Sequence, residues 1–247
     1  MNKICIIAAM EEEMTAVKSI MTDIEEKVFS ELSVYEGKIN GKSCVLTKSS
    51  VGKVNAARTT QILIDNYSVD YVINVGSAGS INDDIACGDI IIAREVLQYD
   101  FDITAFGYQK GYISNVGLRL ESSFKVLRKC EAAIKEIIGE KYRVVTGTIA
   151  TGDIFCTSKK MKEQIKKEFG ADCVEMEGGA VAQVCYLSNV PFIIIRSISD
   201  SPNEKNEIDF KDYLELASKR CAEFLKVMIK WLTFYKIKYI LCGVKNK

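Results

Sequence analysis

The 247-residue sequence contains no histidine. This absence excludes Ser-His-Asp catalysis, Cys-His catalysis and zinc sites with histidine ligands. Acid–base chemistry must therefore depend mainly on carboxylates, lysine, tyrosine or cysteine. Lysine plus arginine and aspartate plus glutamate number 33 each, so the formal net charge is zero. A balanced charge argues against a protein that binds nucleic acid by neutralising its phosphates.

Long apolar runs and paired cysteines are also missing. No run reaches the roughly 18 apolar residues of a membrane-spanning helix, so we expect no membrane partner. The apolar run from Met1 to Met10 is short for a secretory signal, and three glutamates follow it directly. The nine cysteines are an odd number without a Cys-x-x-Cys pair, which fits neither a disulfide framework nor a thiolate metal site. We expect reduced thiols, a cytoplasmic protein and no metal.

Apolar residues make up 48% of the chain and charged residues 27%, which is typical of a folded domain with a sizeable core. Short Val- and Ile-rich runs alternate with longer segments of helical spacing. The predicted strands are Lys3–Ala9, Ser43–Lys48, Tyr71–Val75, Asp89–Val96, Arg143–Ala150 and Phe192–Ser197. The predicted helices are Glu11–Met21, Val54–Asp65, Glu121–Ile138, Ser158–Glu168, Gly179–Leu187 and Phe210–Trp231.

This alternation predicts an α/β fold, a single domain with a central mixed, mainly parallel β-sheet flanked by helices. The continuous Val/Ile runs indicate strands that are buried on both faces. We assign the domain to residues 1–232. Residues 233–247 form a C-terminal extension that we expect to dock on the same domain.

Acidic residues stand at three junctions between segments, two of which follow a predicted strand. Glu11–Glu13 follow the first strand, and Asp200 ends the segment that begins with the run at Phe192. Glu175 and Glu177 precede a pair of glycines. Acidic residues at such places often stabilise a helix start or cap a turn. The alternative is a ligand site with a carboxylate base, a carboxylate that binds a polyol, and a carboxylic acid that an apolar setting keeps protonated.

Other loops offer weaker signals. Gly76–Ser80 would let backbone approach a ligand, but it matches neither the dinucleotide nor the P-loop pattern. The Gly52-Lys53 pair lacks the first glycine of a P-loop, because that position is Thr47. Phe155 is suited either to stacking on a planar base or to packing under a loop. We interpret the aromatic-rich segment Asp100–Tyr108 as a pocket rim or a subunit contact.

Taken together, these segments resemble bacterial 5′-methylthioadenosine/S-adenosylhomocysteine nucleosidase, a family with a nucleoside phosphorylase-like fold. The similarity runs in the family's order from about Lys3 to Trp231. Each motif is modest alone, and their joint occurrence is highly specific. The segments that carry the resemblance are Ala9–Glu13, Val51–Val54, Gly76–Gly79, Thr104–Tyr108, Gly152–Asp153, Val174–Glu177 and Arg196–Asp200.

The resemblance implies irreversible hydrolysis of the bond between adenine and a 5′-thio-substituted ribose, with no metal or other cofactor. It implies that Glu13 activates the attacking water, with help from Ser77 and Arg196, and that Asp200 donates a proton to N7 of adenine. Glu177 would bind the ribose hydroxyls. The further residues that the resemblance places in the substrate site are Met10, Val51, Ala78, Gly79, Ile103, Phe155, Cys156, Glu175, Met176, Ser199 and Phe210.

Finer roles also follow from the resemblance. Phe155 would stack on the base, the backbone of Cys156 would pair with the base edge, and Met176 would lie against the sugar. Ser199 would orient the catalytic acid. The segment Phe106–Ile113 would reach the pocket of the neighbouring subunit in a homodimer.

Three alternatives remain open at this point. A nucleoside phosphorylase has the same fold, but Glu13 would repel a phosphate nucleophile. Hydrolysis of aminodeoxyfutalosine would use the same catalytic set. A non-catalytic nucleoside sensor would need the loss of Glu13 or Asp200, and both are present.

Overall fold

The computed structural model describes residues 3–123, 127–128, 142–200 and 206–232, and the side chains of residues 206–212 lie outside this part. The helices are α1 (Glu11–Lys18), α2 (Lys53–Asn66), α3 (Lys159–Phe169), α4 (Gly178–Leu187) and α5 (Asn206–Trp231). The strands are β1 (Lys3–Ala8), β2 (Thr22–Phe29), β3 (Leu32–Ile39), β4 (Lys42–Lys48), β5 (Val69–Ser80), β6 (Ile90–Gln98), β7 (Leu120–Glu121), β8 (Val144–Thr151), β9 (Cys173–Glu175) and β10 (Phe192–Asp200). A 3₁₀ turn covers Thr104–Phe106. The predicted extension at 233–247 lies outside the described residues.

All the strands belong to one mixed sheet. β5 pairs parallel with β1 on one side and with β10 on the other, and β1 pairs parallel with β4. The ladder continues from β10 through β6 and β8 to β9, which returns to β5. β5, β10, β6, β8 and β9 thus form a closed ring, from which β1, β4, β3 and β2 extend as an open sheet. Parallel ladders join most of the long strands, so the predicted mixed, mainly parallel sheet is confirmed.

Helices cover both faces of this sheet, and β1 shows why. Ile4 and Ile6 face the layer formed by α1 and α5, whereas Cys5 and Ile7 face the layer formed by α2 and α4. Successive strand residues point to opposite faces, so a strand between two helical layers must be apolar at every position. β10 is likewise buried along its whole length, which confirms the prediction from its Ile-rich run.

Two predicted strands are longer in the structure. β5 continues past Val75 through the segment Gly76–Ser80, which the sequence analysis took for a loop. β10 continues from Ser197 to Asp200. Glycine and serine have low strand propensity, but here the two strands pair with each other as far as Gly79 and Asp200, and this pairing overrides the local preference.

The sequence analysis missed the hairpin of β2 and β3. β2 is largely exposed and rich in charge, so it lacks the apolar alternation by which strands are recognised. The two-residue β7 and the three-residue β9 are too short to leave such a pattern. The predicted helix Glu121–Ile138 is wrong at its start, because Glu121 pairs with Glu95 of β6. Residues 124–126 and 129–138 lie outside the described residues.

Within the described ranges, no helix combines the length and the apolar character needed to cross a bilayer. The seven cysteines of the same ranges all have free thiols. Six of these cysteines are buried and Cys87 is partly exposed, as expected for small core residues.

Candidate functional site

A cavity of about 740 Å³ opens where β1, β5, β8, β9 and β10 end or lead into loops. Its size suits a small-molecule ligand. The lining residues are Ala9, Met10, Glu13, Val51, Ser77, Ala78, Gly79, Ile154, Phe155, Cys156, Val174, Glu175, Met176, Glu177, Ser199 and Asp200. All of them except Ala9, Ile154 and Val174 were named from the sequence as site residues.

Among the described side chains, two of the named residues are not on this wall, and a third named residue lies outside the described side chains. Arg196 lies directly behind it, in contact with Glu175. Ile103 lies in the segment before the 3₁₀ turn and does not line the cavity of the single chain. Phe210 is in α5, and its side chain lies outside the described residues.

Glu13 is held in the cavity wall by four hydrogen bonds. Only 4% of its surface is exposed. One carboxyl oxygen accepts from the backbone N–H groups of Ala9 at 3.0 Å and Met10 at 3.1 Å. The other accepts from the backbone N–H of Ser77 at 2.9 Å and from its hydroxyl group at 3.1 Å. The neighbouring Glu11–Glu12 pair is exposed, whereas Glu13 both caps the start of α1 through the backbone N–H of Met10 and reaches across to Ser77 on β5.

Two glycines of β5 make room for the acidic side chains. A Cβ atom at Gly76 would lie 2.9 Å from Glu13 Oε1, and one at Gly79 would lie 2.8 Å from Asp200 Oδ2. Strand residues three positions apart are separated by about 10 Å. Glu13 and Asp200 therefore approach β5 at two separate points of the same cavity. The small residues of this segment allow close approach to the strand, as expected from the sequence, although the segment is not a loop.

Glu175 lines the cavity, but protein donors occupy both of its carboxyl oxygens. One accepts from the backbone N–H groups of Glu177 at 3.0 Å and Gly178 at 2.7 Å, and from the Arg196 guanidinium group. The other accepts from the Thr151 hydroxyl group. Burial opposes the charge of Arg196, yet the charges of Glu175 and Glu177 raise its pKa above the ordinary value. Glu175 therefore fixes the start of α4 and neutralises a buried cation.

Glu177 faces the cavity, where ionisation of its carboxyl group is unfavourable. Its Oε1 accepts a hydrogen bond from the backbone N–H of Gly52 at 2.9 Å, and Arg196 lies 3.9 Å from its Oε2. Burial and the nearby charge of Glu175 raise the pKa of Glu177 to about 7, in spite of these two partners. Hydroxyl donors from a ligand would stabilise its ionised form.

Asp200 ends β10 and is paired with a buried cation. One carboxyl oxygen accepts from the Ser199 hydroxyl group at 3.2 Å, and the other accepts from the Lys162 ammonium group at 2.9 Å. Asp200 and Lys162 are only 3% and 2% exposed. The apolar setting expected for Asp200 is therefore wrong, because α3 brings a cation to it.

Sequence reasoning missed Lys162, although a signal was present. α3 is rich in lysine, but Lys162, Ile165 and Phe169 recur at the spacing of one helix face, and all three are buried. Ser158 caps the start of the helix and Gly170, in a left-handed conformation, ends it, which fixes this face against the sheet. A lysine on the apolar face of a charged helix indicates a buried partner.

Apolar groups form the other side of the cavity. Phe155 is 46% exposed, so packing under a loop does not describe it, and it is available to stack on a planar group. Ile154 and Val51 are exposed to a similar degree beside it. Cys156 is buried, and burial raises the pKa of its thiol, which makes it a poor nucleophile at neutral pH.

Polar contacts tie together the loops beside the cavity. The Lys53 ammonium group lies 2.7 Å from Asp100, and Asp100 also accepts from the backbone N–H of Asp153 at 2.9 Å. Asp153 in turn accepts from the backbone N–H of Lys53 at 2.8 Å. Asp102 accepts from the backbone N–H of Thr104 at 2.9 Å. These contacts agree with the interpretation of Asp100–Tyr108 as a pocket rim.

Known proteins show the same combination of fold and sequence. The model of the phosphorylase superfamily matches residues 3–230. The 5′-methylthioadenosine/S-adenosylhomocysteine nucleosidase of Geobacillus sp. (strain WCH70) is 38% identical over 231 residues, which are 93% of this chain and 99% of the relative. The crystal structure of the nucleosidase of the same name from Neisseria meningitidis, in complex with methylthio-immucillin-A, has a TM-score of 0.89 and 36% identity over 94% of this chain and 100% of its own.

A related hydrolase has a similar structure. The futalosine hydrolase of Helicobacter pylori strain 26695 has a TM-score of 0.88 and 34% identity, and the match covers 94% of this chain and 98% of that chain. The resemblance predicted from the sequence motifs is thus confirmed over most of the chain. The chain belongs to the 5′-methylthioadenosine/S-adenosylhomocysteine nucleosidase family of the phosphorylase superfamily and is an N-glycosidic hydrolase.

Proposed function

We propose that this enzyme hydrolyses the N-glycosidic bond of 5′-methylthioadenosine and S-adenosylhomocysteine. The products are adenine and methylthioribose or S-ribosylhomocysteine. The observation that carries the proposal is the convergence of Glu13, Glu177 and Asp200 on one cavity of nucleoside size. These residues are far apart in the sequence, so their meeting is a property of the fold. The names of the relatives support the same substrates.

The reaction requires two proton transfers, and the cavity offers one carboxyl group for each. Water attacks C1′ of the ribose and gives a proton to Glu13. Asp200 gives a proton to N7 of adenine, so that the base leaves without becoming an anion. The electron pair of the C1′–N9 bond goes to the purine. The sugar passes through a state with positive charge, which nearby carboxylates stabilise.

The ribose and the purine of the substrate contact different sides of the cavity. We assign the ribose hydroxyls to Glu177, whose two oxygens can accept from adjacent donors, with Met176 against the ring. We assign the purine to Phe155, by stacking, and to the backbone of Cys156, at its edge. Ser199, which donates to Asp200 at 3.2 Å, orients the acid.

Water is favoured over phosphate as the nucleophile. Arg196 lies 3.9 Å from Glu177 and interacts electrostatically with Glu13, but its guanidinium group donates to Glu175 behind the wall. A phosphate next to Glu13 would meet negative charge. Aminodeoxyfutalosine is the second candidate substrate, because the futalosine hydrolase structure is about as similar to this chain as the nucleosidase structure.

We also propose a homodimer in which Phe106–Ile113 approaches the partner's cavity. Phe106 is 80% exposed, and Tyr108 is exposed while stacking on Tyr112 at 5.1 Å. Val54, at the start of α2, is 79% exposed. Exposed apolar groups close to a pocket mouth are typical of a covered surface.

The direct test is incubation of the enzyme with 5′-methylthioadenosine, with and without phosphate. We expect adenine and methylthioribose at the same rate in both cases. In this assay, Glu13→Gln and Asp200→Asn should each lower kcat by about 10²–10⁴-fold, because each variant loses a proton acceptor or donor. Product formation only with phosphate would favour a phosphorylase. Wild-type turnover in either variant would contradict the assigned roles, and aminodeoxyfutalosine as a parallel substrate tests the second candidate.

Glu177→Gln should change how stability depends on pH. The raised pKa of Glu177, about 7 against 4.5, means that the stability contributed by its protonated form is fully present below pH 4.5 and is lost as the pH rises through 7. Glutamine cannot ionise, so the variant should gain up to about 3 kcal/mol relative to wild type between pH 4.5 and pH 8. Urea unfolding measures the difference. The exposed Glu12→Gln is the control, and a gain in Glu177→Gln that is equal at both pH values would refute the assignment.

Gly76→Ala should impair catalysis without unfolding the protein. The added Cβ would lie 2.9 Å from the end of the Glu13 side chain, which can move while the strand stays in place. A displacement of the base by about 1 Å can cost 10²-fold, so we expect kcat/KM to fall by about that factor. Gly147→Ala is the control, once its folding has been verified by circular dichroism, since its Cβ would displace the Asp172 carboxyl group and the Ile91 side chain, and neither residue lines the cavity. Equal activity of the two variants would contradict the role of Glu13.

Phe106→Asp should convert the dimer into monomers, because an ionised side chain would be buried in the interface. Sedimentation equilibrium measures the change. Val28→Asp, at a 64% exposed position on β2, is the control and should leave the dimer intact. A wild-type enzyme that sediments as a monomer would overturn the proposal.

A further inference from the structure

We propose that Lys162 is a positioning residue for Asp200, and that its ammonium group holds the carboxylate which remains after Asp200 protonates the leaving base. This inference rests on the proposed function, because it needs Asp200 as the acid. Lys162 was not among the site residues named from the sequence, and it does not line the cavity. It therefore acts through Asp200 and not on the substrate.

The geometry of the pair supports this role. Lys162 Nζ donates to Asp200 Oδ2 at 2.9 Å, and the two side chains are 3% and 5% exposed. A surface ion pair contributes little, but the interaction of two charges in a buried site is much stronger. Ser199 holds the other oxygen, Oδ1, by a hydrogen bond of 3.2 Å. The carboxyl group is thus fixed from both sides, with one face turned to the cavity.

Among the described residues, two thiols also interact with Asp200. Burial raises the pKa of Cys156, which lies in the loop after β8. The nearby charge of Lys162 lowers this pKa, and the charge of Asp200 raises it further. Burial also raises the pKa of Cys173 on β9, and Asp200 adds to the effect. Both thiols remain protonated at neutral pH, so they contribute no charge there. Among the described residues that face Asp200 in this way, Lys162 is the group that supplies positive charge.

The O–H bond of Asp200 breaks as N7–H forms, and the C1′–N9 electron pair moves into the purine. Asp200 is left as a carboxylate beside the Lys162 ammonium group. The ammonium group compensates the negative charge that the departing proton leaves on Asp200. The proton that Glu13 takes from water is released to solvent and replaces the one that Asp200 lost.

Removal of the Lys162 charge should therefore shift the pH dependence of kcat/KM as well as lower kcat. In Lys162→Met, Asp200 keeps its proton to higher pH, so the alkaline limb of kcat/KM should move up by about one unit or more. The same change makes proton donation by Asp200 less favourable, so we expect kcat at the optimum to fall about tenfold, which is less than the 10²–10⁴-fold that loss of a general acid costs. Lys162→Arg retains the charge and should restore the wild-type limb.

A second measurement does not depend on turnover. The carboxyl ¹³C resonance of Asp200, assigned by its absence in Asp200→Asn, can be titrated in the enzyme without substrate. We expect its midpoint at higher pH in Lys162→Met than in wild type. Lys166→Met is the matched control: Lys166 lies one turn further along α3 and pairs with the exposed Asp83 at 3.4 Å, so its loss should change neither readout.

The outcomes separate the two proposals. If wild type releases no adenine from 5′-methylthioadenosine, the proposed function fails, and the titration still decides whether Lys162 controls the charge of Asp200. An Asp200 midpoint that is the same in wild type and Lys162→Met would overturn the role of Lys162. An alkaline limb that stays in place while kcat falls equally in Lys162→Met and Lys162→Arg would also overturn it, because that result describes a purely structural residue.

Discussion

The site depends on holding several acidic side chains close together around a single cavity. Four carboxyl groups surround one cavity and two buried cations face them; the acids are Glu13, Glu175, Glu177 and Asp200, and the cations are Arg196 and Lys162. Removing charge from water is costly unless partners replace the water. Backbone N–H groups serve Glu13, a guanidinium group serves Glu175, and an ammonium group serves Asp200. Glu177 has the weakest compensation, and its raised pKa is the result.

The ladder between β5 and β10 sets the spacing of these groups. Gly76 pairs with Arg196 and Gly79 pairs with Asp200, so the two glycines lie opposite a cation and an acid. The absence of side chains on β5 leaves space that the carboxyl groups of Glu13 and Asp200 fill. A site built on paired strands holds its groups more rigidly than one built on loops, which suits a reaction that depends on the relative position of a base and an acid.

The sequence was sufficient for the parts of this structure that leave a strong pattern. The Ile-rich runs predicted the buried strands, the acidic residues at strand ends predicted the carboxyl groups of the cavity wall, and the family resemblance predicted most of its other residues. The charged strand β2 was missed because it is exposed and lacks apolar alternation, and the extension of β5 through Gly76–Ser80 was missed because its partner, β10, is distant in sequence. The ion pair of Asp200 could not be predicted from the residues around it in the sequence, because its partner Lys162 lies on a separate helix. Tertiary contacts, which no short window contains, decide such features.

The closed ring of strands has a mechanical consequence. Every strand in the ring from β5 through β10, β6 and β8 to β9 has partners on both sides, so none of them can peel away to widen the cavity. Within the described part of the chain, connecting segments such as those near Val51 and Phe155 are free of this constraint when a nucleoside enters or a free base departs. Substrate entry and product release therefore do not require the closed ring of strands to open. The backbone amide hydrogens of these strands should exchange slowly with solvent even during many turnovers.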